Sequence, residues 1–489
     1  MNRKELVESY RLCPHVPVYH FISPEPVNWP MDPNGVIFWH GKYHLFYLYQ
    51  NDNKHSCWGH ASSRDLVTWE YHVPALLPDE EKGELQIYSG CALLDLSGKP
   101  VIVYYGYQTG ICLAYPLDDD LLKWEKYCNN PVLKDPRNRQ DDANLVYSVF
   151  DPHVWIEDNG YKMILGAYQR PYMEYDTCYL FSSPDLIHWQ YERPFYQPNK
   201  EWTMPTEDMA CPDFFKLGDR YLLMGLSHYA GARYYLGKYL HGTFIPEEHH
   251  RLMGPGGCIV SPESCLDNQN RRLVWFWLRG QTLGEDGLNA PHAGYDALSL
   301  PRIFSCNSLG QLEMDVPVEL QQLRQSSLSF KPFELHVGTT FEDPRLSGNV
   351  VELEMECDYF TGCLVIEVGV AKNRKEYSKI LFDMPNSALI FDATNSSCTK
   401  KVGWSYPVAV SDRPDSYPTQ TLPFKLQKQE NLSLKVFIDH SIVEIFANRR
   451  QVLCQRIYPL PDSNGIALKA SGSNIKFNHL IIHQMSSLK

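Results

Sequence analysis

Three carboxylate positions in this chain are placed so that they could act together. Asp32 lies in Asn28-Trp29-Pro30-Met31-Asp32-Pro33-Asn34-Gly35, Asp151 in Phe150-Asp151-Pro152-His153, and the pair Glu207-Asp208 just ahead of Cys211-Pro212-Asp213. Each precedes a β-rich run and a Gly turn, and Asp32 and Asp151 are followed directly by Pro, which biases them toward extended backbone. Singly, an Asp in Asp-Pro-Asn-Gly is turn chemistry, an acceptor for nearby backbone N–H groups. Together, beside Trp29, Trp39 and Tyr47, the carboxylates match what glycoside cleavage requires. A retaining hydrolase needs one ionised carboxylate as nucleophile and one protonated carboxyl as acid, about 5–5.5 Å apart. Like charges crowded in one place raise one another's pKa, which separates donor from nucleophile. No metal-ligand spacing and no nucleotide motif accompanies them, so neither metal nor cofactor is expected.

The elements that would position these groups are short strands and turns. Val36–Trp39 and Tyr43–Tyr49, joined through His40-Gly41-Lys42, read as a hairpin. A weak repeat follows: a strand, a turn holding Asp-Leu, and a Trp opening the next strand, at Asp65–Trp69, Asp118–Trp124 and Asp185–Trp189. The three Trp stand about 55 and 65 positions apart, a period that suits a four-stranded propeller blade. Less regular copies near Tyr234–Tyr239 and Leu273–Leu278 bring the count to about five units. A propeller gathers its innermost strands around a funnel, where acids at equivalent blade positions converge. After Arg324 the pattern changes to period-two strands such as Val350–Cys357 and Leu434–Asp439, the texture of a β-sandwich. The expected organisation is all-β: a propeller over residues 1–324, a linker over 325–335, and a sandwich over 336–489 crossed by a Pro-rich loop at Asp412–Pro423.

At 489 residues the chain is long enough for two domains. A net charge of −13 argues against a nucleic-acid partner, whose phosphates demand a basic face. No apolar run has the length of a signal peptide or a membrane span, so no membrane partner is expected and the cytoplasm is the expected location. The 14 Cys are scattered through strand-like runs and are expected reduced.

Over almost its whole length the chain resembles glycoside hydrolase family 32, the β-fructofuranosidases. Trp29-x-x-Asp32-Pro33-Asn34-Gly35 resembles the family's nucleophile motif, and Trp58–Ser62 and Tyr88–Ala92 match its next two segments. Asp151-Pro152 matches the aspartate that stabilises the transition state. Ala293–Arg302 resembles the closing propeller strand, and Val436–Phe446 with Arg456-Ile457-Tyr458-Pro459 the most recognisable sandwich element. The resemblance implies a five-bladed β-propeller followed by a β-sandwich, and double displacement through a fructosyl-enzyme intermediate. It implies Asp32 as nucleophile and Asp151 as transition-state stabiliser. Substrate contacts are expected from Trp29, Asn34, Gln50, Trp58, Tyr88, Ser89 and His153, and the substrate is a small saccharide. A homodimer built on the sandwich is a further expectation.

The departures from the family pattern fall at the site. Met31, Leu48 and Phe150 stand where Asn, Gln and Arg are usual, and Ala210 stands where the acid/base Glu directly precedes Cys-Pro-Asp. Glu207 is expected to take the acid/base role because its longer side chain can cover the displacement, with Asp208 in reserve. Losing polar partners leaves sugar hydroxyls to be satisfied by others; His55, His153, His228 and Arg233 are the candidate donors. The expected activity is release of fructose from sucrose or another short fructoside. The alternatives are a catalytically weakened carbohydrate-binding or sensing protein, and a hydrolase or transferase for another furanoside or a fructose dianhydride.

Overall fold

The structure, a computed structural model, describes residues 14–25, 31–136, 146–166, 177–204, 207–284, 296–398, 401–404 and 417–488. Trp29 and residues 412–416 of the Pro-rich stretch lie outside these residues. Five antiparallel sheets follow one another through the first 315 residues, each an up-and-down meander of four main strands. Their innermost strands are Pro33–Trp39, Ile87–Leu94, Pro152–Glu157, Ala210–Leu217 and Ile259–Leu266, which define blades one to five.

The Asp-Leu-Trp repeat is the turn between the third and fourth strands of blades one to three. Asp65 Oδ1 accepts the N–H groups of Val67 at 3.0 Å and Thr68 at 2.7 Å, Leu66 turns at φ +64°, and Trp69 Nε1 donates to Leu66 O at 3.1 Å. Asp185, Leu186 and Trp189 repeat the pattern, with Trp189 Nε1 donating to Leu186 O at 2.7 Å. In blade two, Asp118 accepts Leu122 N–H at 2.9 Å, and Trp124 Nε1 donates to Leu121 O at 2.9 Å. The motif therefore encodes a turn in which Asp satisfies backbone donors that the reversal leaves unpaired.

At the opposite end of four of the innermost strands the ladder is deformed. Register shifts occur at Asn34/Ile37, Ile87/Gly90, Ala210/Asp213 and Val260/Pro262, and Asp151 precedes its strand at φ +26°. Gly35, Cys211 and Ser261 also have positive φ, at +50°, +44° and +35°. Such bulges re-aim side chains at the rim of a sheet, and here they, with the positive φ of Asp151, bring Asp32, Ser89, Asp151, Cys211 and Ser261 together. Pro33, Pro152, Pro212 and Pro262 follow four of these five residues, at the start of an edge strand where a missing N–H breaks no ladder bond.

The sandwich begins earlier than the sequence suggests. Residues 325–335 are not a linker: Arg324–Phe330 and Phe333–Leu335 pair with the long strand Ile475–Met485 inside the first sandwich sheet. The sequence Gln325-Ser326-Ser327 looks like a spacer because this outer strand is exposed and polar. Thr419–Pro423, expected within the Pro-rich loop, is an edge strand of the second sheet, paired with Ala388–Asp392. The two sheets enclose a core separate from that of the propeller.

The domains are fastened by buried charge. Asp439 accepts the backbone N–H groups of Val18, Tyr19 and His20 at 2.8–2.9 Å, and the His20 ring bridges Asp439 at 2.8 Å and Glu444 at 3.1 Å. Glu444 also accepts Leu300 N–H at 2.8 Å and Arg302 Nη2 at 2.7 Å. The sandwich motif Phe437–Phe446 thus ties down both ends of the propeller chain.

Candidate active site

All five blades contribute to one polar cluster at the funnel mouth, and a hinge of backbone bonds sets the first member. Leu48 N–H donates to Asp32 O at 3.0 Å, as does Asn34 Nδ2, while Asn34 Oδ1 accepts Gly90 N–H at 3.3 Å. Asn34 is 1% exposed, so its amide fixes the Asp32 turn against blade two. Ser89 Oγ donates to Asp32 Oδ2 at 2.7 Å. From blade four, Cys211 N–H donates to Asp151 Oδ2 at 3.0 Å. The Cys211 thiol stands between the two acids, 3.8 Å from Asp32 Oδ2, 3.5 Å from Asp151 Oδ2 and 3.7 Å from Ser261 Oγ. One sulfur in reach of both carboxylates shows that Asp32 and Asp151 converge. Asp151 Oδ1 is buried with no hydrogen-bond partner among the described residues.

The environment sets the protonation. Burial pushes the Asp32 carboxyl up, and the bonds from Ser261 and Ser89 recover only part of that. Burial pushes Asp151 up to about 7, against the pull of the Cys211 N–H and with the added repulsion of Asp32. Burial and the two acids also hold the Cys211 thiol well above its usual range. Met31 and Phe150, which directly precede the two acids, are buried in the propeller's apolar core.

The Glu207-Asp208 pair divides. Both oxygens of Glu207 are engaged by arginine: Arg233 Nη1 at 2.8 Å and Arg251 Nη1 at 3.0 Å on Oε2, and Arg251 Nη2 at 2.6 Å on Oε1. Met204 N–H adds a bond at 2.9 Å. Burial would raise this carboxyl, but the two cations overcome it and hold Glu207 below its usual range. A carboxylate kept ionised and fully engaged is poorly suited to donate a proton. Asp208 instead meets His228: its Oδ1 accepts the His228 backbone N–H at 2.8 Å, and its Oδ2 lies 2.5 Å from the ring Nδ1. Burial pulls His228 down, but Asp208, then Asp151 and Asp32, raise it to about 9.

The remaining expected contacts are scattered. Trp58 is fully buried, packed on Phe46 and donating its Nε1 to Tyr88 O at 2.9 Å, so it positions the Ser89 strand rather than facing a ligand. His153 lies against blade four, with Nε2 at 3.0 Å from Phe214 O and Nδ1 at 3.6 Å from Asp213 Oδ1. Arg233 is spent on Glu207 and on Asp208 O at 2.6 Å. His55 pairs with Glu80 at 2.9 Å. Tyr88 packs against Tyr105 and Tyr107, and half-buried Gln50 pairs with Ser56 two residues beyond Leu48, at the end of its strand beside the Asp32 turn. Sequence reasoning missed Cys211 and Ser261. The residue-Pro step repeated at the start of four of the five innermost strands is the signal that finds them.

Comparison with known proteins agrees with this architecture. Residues 20–315 match the Glycosyl hydrolases family 32 N-terminal domain, and residues 319–484 the Glycosyl hydrolases family 32 C terminal. The chain is 28% identical to a levanase of Bacillus subtilis (strain 168), over 98% of this chain and 71% of the relative. It is 27% identical to a raffinose invertase of Escherichia coli, over 93% and 92%. The fold superposes on fructan 1-exohydrolase IIa from Cichorium intybus with a TM-score of 0.80 at 21% identity, covering 97% of this chain and 98% of the other. The two family matches together span nearly the whole propeller and sandwich, and the chain belongs to glycosyl hydrolases family 32, a family of glycosidases.

Proposed function

We propose that this protein releases fructose from a short β-fructofuranoside with retention at the anomeric carbon. Asp32 is the nucleophile: it attacks C2 of the fructosyl unit, and water later hydrolyses the resulting ester. Asp151 stabilises the charge that develops on the ring. The observation that carries this reading is the convergence of Asp32 and Asp151, with the unpartnered Asp151 Oδ1 an acceptor for sugar hydroxyls. A buried acceptor without a partner costs about 1–3 kcal/mol, which a hydroxyl donor from substrate would recover. The names of the relatives, a levanase and a raffinose invertase, support a fructoside as the substrate class.

The test is a panel of sucrose, kestoses, inulin, levan and fructose dianhydrides. The wild-type protein should release fructose from at least one of them, and Asp32→Asn should lose at least ~10⁴-fold in rate on that substrate. If the wild type releases no fructose from any of these, the protein is better read as a saccharide-binding member of the family. Ala210, at the position where the sequence leads one to expect the acid, is the observation that favours that second reading.

A further inference from the structure

We propose that His228, oriented by Asp208, is the general acid and base of this site in place of a carboxylic acid at position 210. The inference rests on the fructosidase reading above. Register carries it. Ala210 pairs with Leu226 across the first two strands of blade four, so Asp208 and His228, each two residues further along, face one another on the same side. The 2.8 Å bond from His228 N–H to Asp208 Oδ1 closes that pair. His228 opens the turn Ser227–Gly231 between the second and third strands, at the end of the blade where Cys211 meets both acids. Its ring lies 6.3 Å from that of Phe150, the residue directly before Asp151. The imidazole therefore occupies the side of the funnel where Ala210 has no acid to offer.

The pairing also fixes which nitrogen does the chemistry. Nδ1 is held at 2.5 Å by Asp208 Oδ2, so the transferable proton is on Nε2. Among the described residues, the charges that act on the ring are Asp208 from blade four, Asp151 from blade three and Asp32 from blade one, and they keep it protonated at neutral pH. In the first step the Asp32 carboxylate bonds to C2, the C2–O bond to the leaving group breaks, and that oxygen takes the Nε2 proton. In the second, water attacks C2, the C2–Oδ bond to Asp32 breaks, and Nε2 recovers a proton from the water. Glu207 takes no part; with Arg233 and Arg251 it fastens the chain that carries Asp208.

The experiment compares kcat/KM on sucrose, whose sugar alkoxide needs protonation, with p-nitrophenyl β-D-fructofuranoside, whose phenolate leaves unaided. His228→Gln should lose about 10²–10⁴-fold on sucrose and less than about tenfold on the aryl fructoside, and azide should raise its kcat by trapping the fructosyl-enzyme without a base. Asp208→Asn, a change at a positioning residue, should move the alkaline limb of the sucrose profile from about 9 toward the ordinary histidine value of about 6.5. Sucrose activity within a few-fold of wild type in His228→Gln would overturn the proposal and leave the fructosidase reading intact. Equal loss on both substrates in His228→Gln and His228→Asn alike would overturn it too, as would an unmoved alkaline limb in Asp208→Asn. Wild-type protein that releases fructose from neither substrate would instead overturn the fructosidase reading itself.

Discussion

Glu207→Gln separates a fastener from an acid, and its effect can be worked from the bonds it breaks. Glu207 Oε1 accepts from Met204 N–H and Arg251, and Oε2 from Arg233 and Arg251. A glutamine can keep one oxygen on Met204, but its amide N–H groups then oppose the guanidinium N–H groups on the other side. Arg233 has no exposed side-chain surface and loses the Glu207 carboxylate. Removing one member of a buried ion pair costs about 3–5 kcal/mol, which for a domain of this size lowers the apparent Tm by roughly 10 °C. Differential scanning fluorimetry reads this directly. At temperatures where the variant is folded, activity on sucrose and on an aryl fructoside should fall together. An apparent Tm within about 2 °C of wild type, combined with selective loss on sucrose, would refute the argument and return the acid role to Glu207.

Two further outcomes follow from the same geometry. Ser89→Ala removes the 2.7 Å bond that stabilises ionised Asp32; losing a hydrogen bond to a charged group costs about 1.5–3 kcal/mol, so kcat/KM should fall roughly 10–100-fold. Because that bond favours the charged form, its loss raises the Asp32 pKa and moves the acid limb of the pH–rate profile upward; an unmoved limb would show that Ser89 does not act on Asp32. Burial works against ionised Glu444, yet the charges of Arg302 and His20 hold it at about 2. With its folded pKa depressed, its stabilisation is full above an unfolded value near 4.5 and disappears as pH falls through that window toward 2, a loss of about 3 kcal/mol. Urea midpoints at pH 7 and pH 3 capture about 2 kcal/mol of it, and Glu444→Gln should show a shallower decline; a decline as steep as wild type would contradict the assignment.

How far the sequence could be read depended on whether a residue's role was local. The Asp-Leu-Trp turns were legible because one Asp satisfies donors within five residues of itself. The bulge residues were half-legible: Asp32 and Asp151 stood out as acids before Pro, while Cys211 and Ser261 share the same step without an ionisable oxygen to draw notice. The polar strand Arg324–Phe330 looked like a linker because its partner lies about 150 residues away in Ile475–Met485. Glu207 was misleading for a related reason. Its acidity is visible in the sequence, but Arg233 and Arg251, which consume it, follow 26 and 44 residues later in strands whose register only the folded blade reveals. Trp58, a ring suited to stacking on sugar, is taken up by Phe46 and Tyr104 in the wall between blades one and two.

The unusual residues at the funnel make electrostatic sense as one change. Met31 and Phe150 put buried apolar side chains directly before Asp32 and Asp151, and burial is the first cause of the raised pKa of both acids. In such a frame a third carboxylate would add repulsion to a site already costly to charge. With Ala210 there is no third carboxylate at that position, and the imidazolium of His228 brings a positive charge within reach of the other two. The same pair of acids acts oppositely on the two kinds of proton donor. Beside a carboxylic acid their charge keeps the neutral form protonated, and the donor is lost once pH passes its raised pKa. Beside imidazole their charge favours the cation, carried to about 9 together with Asp208, so the donor stays loaded through neutrality but yields its proton less readily. Brønsted behaviour then favours leaving groups that need only partial protonation. The apolar lining and the histidine are therefore coupled: restoring Glu at position 210 without polar partners for Asp32 and Asp151 would place three buried carboxylates together, and His228 would have to compensate for all of them.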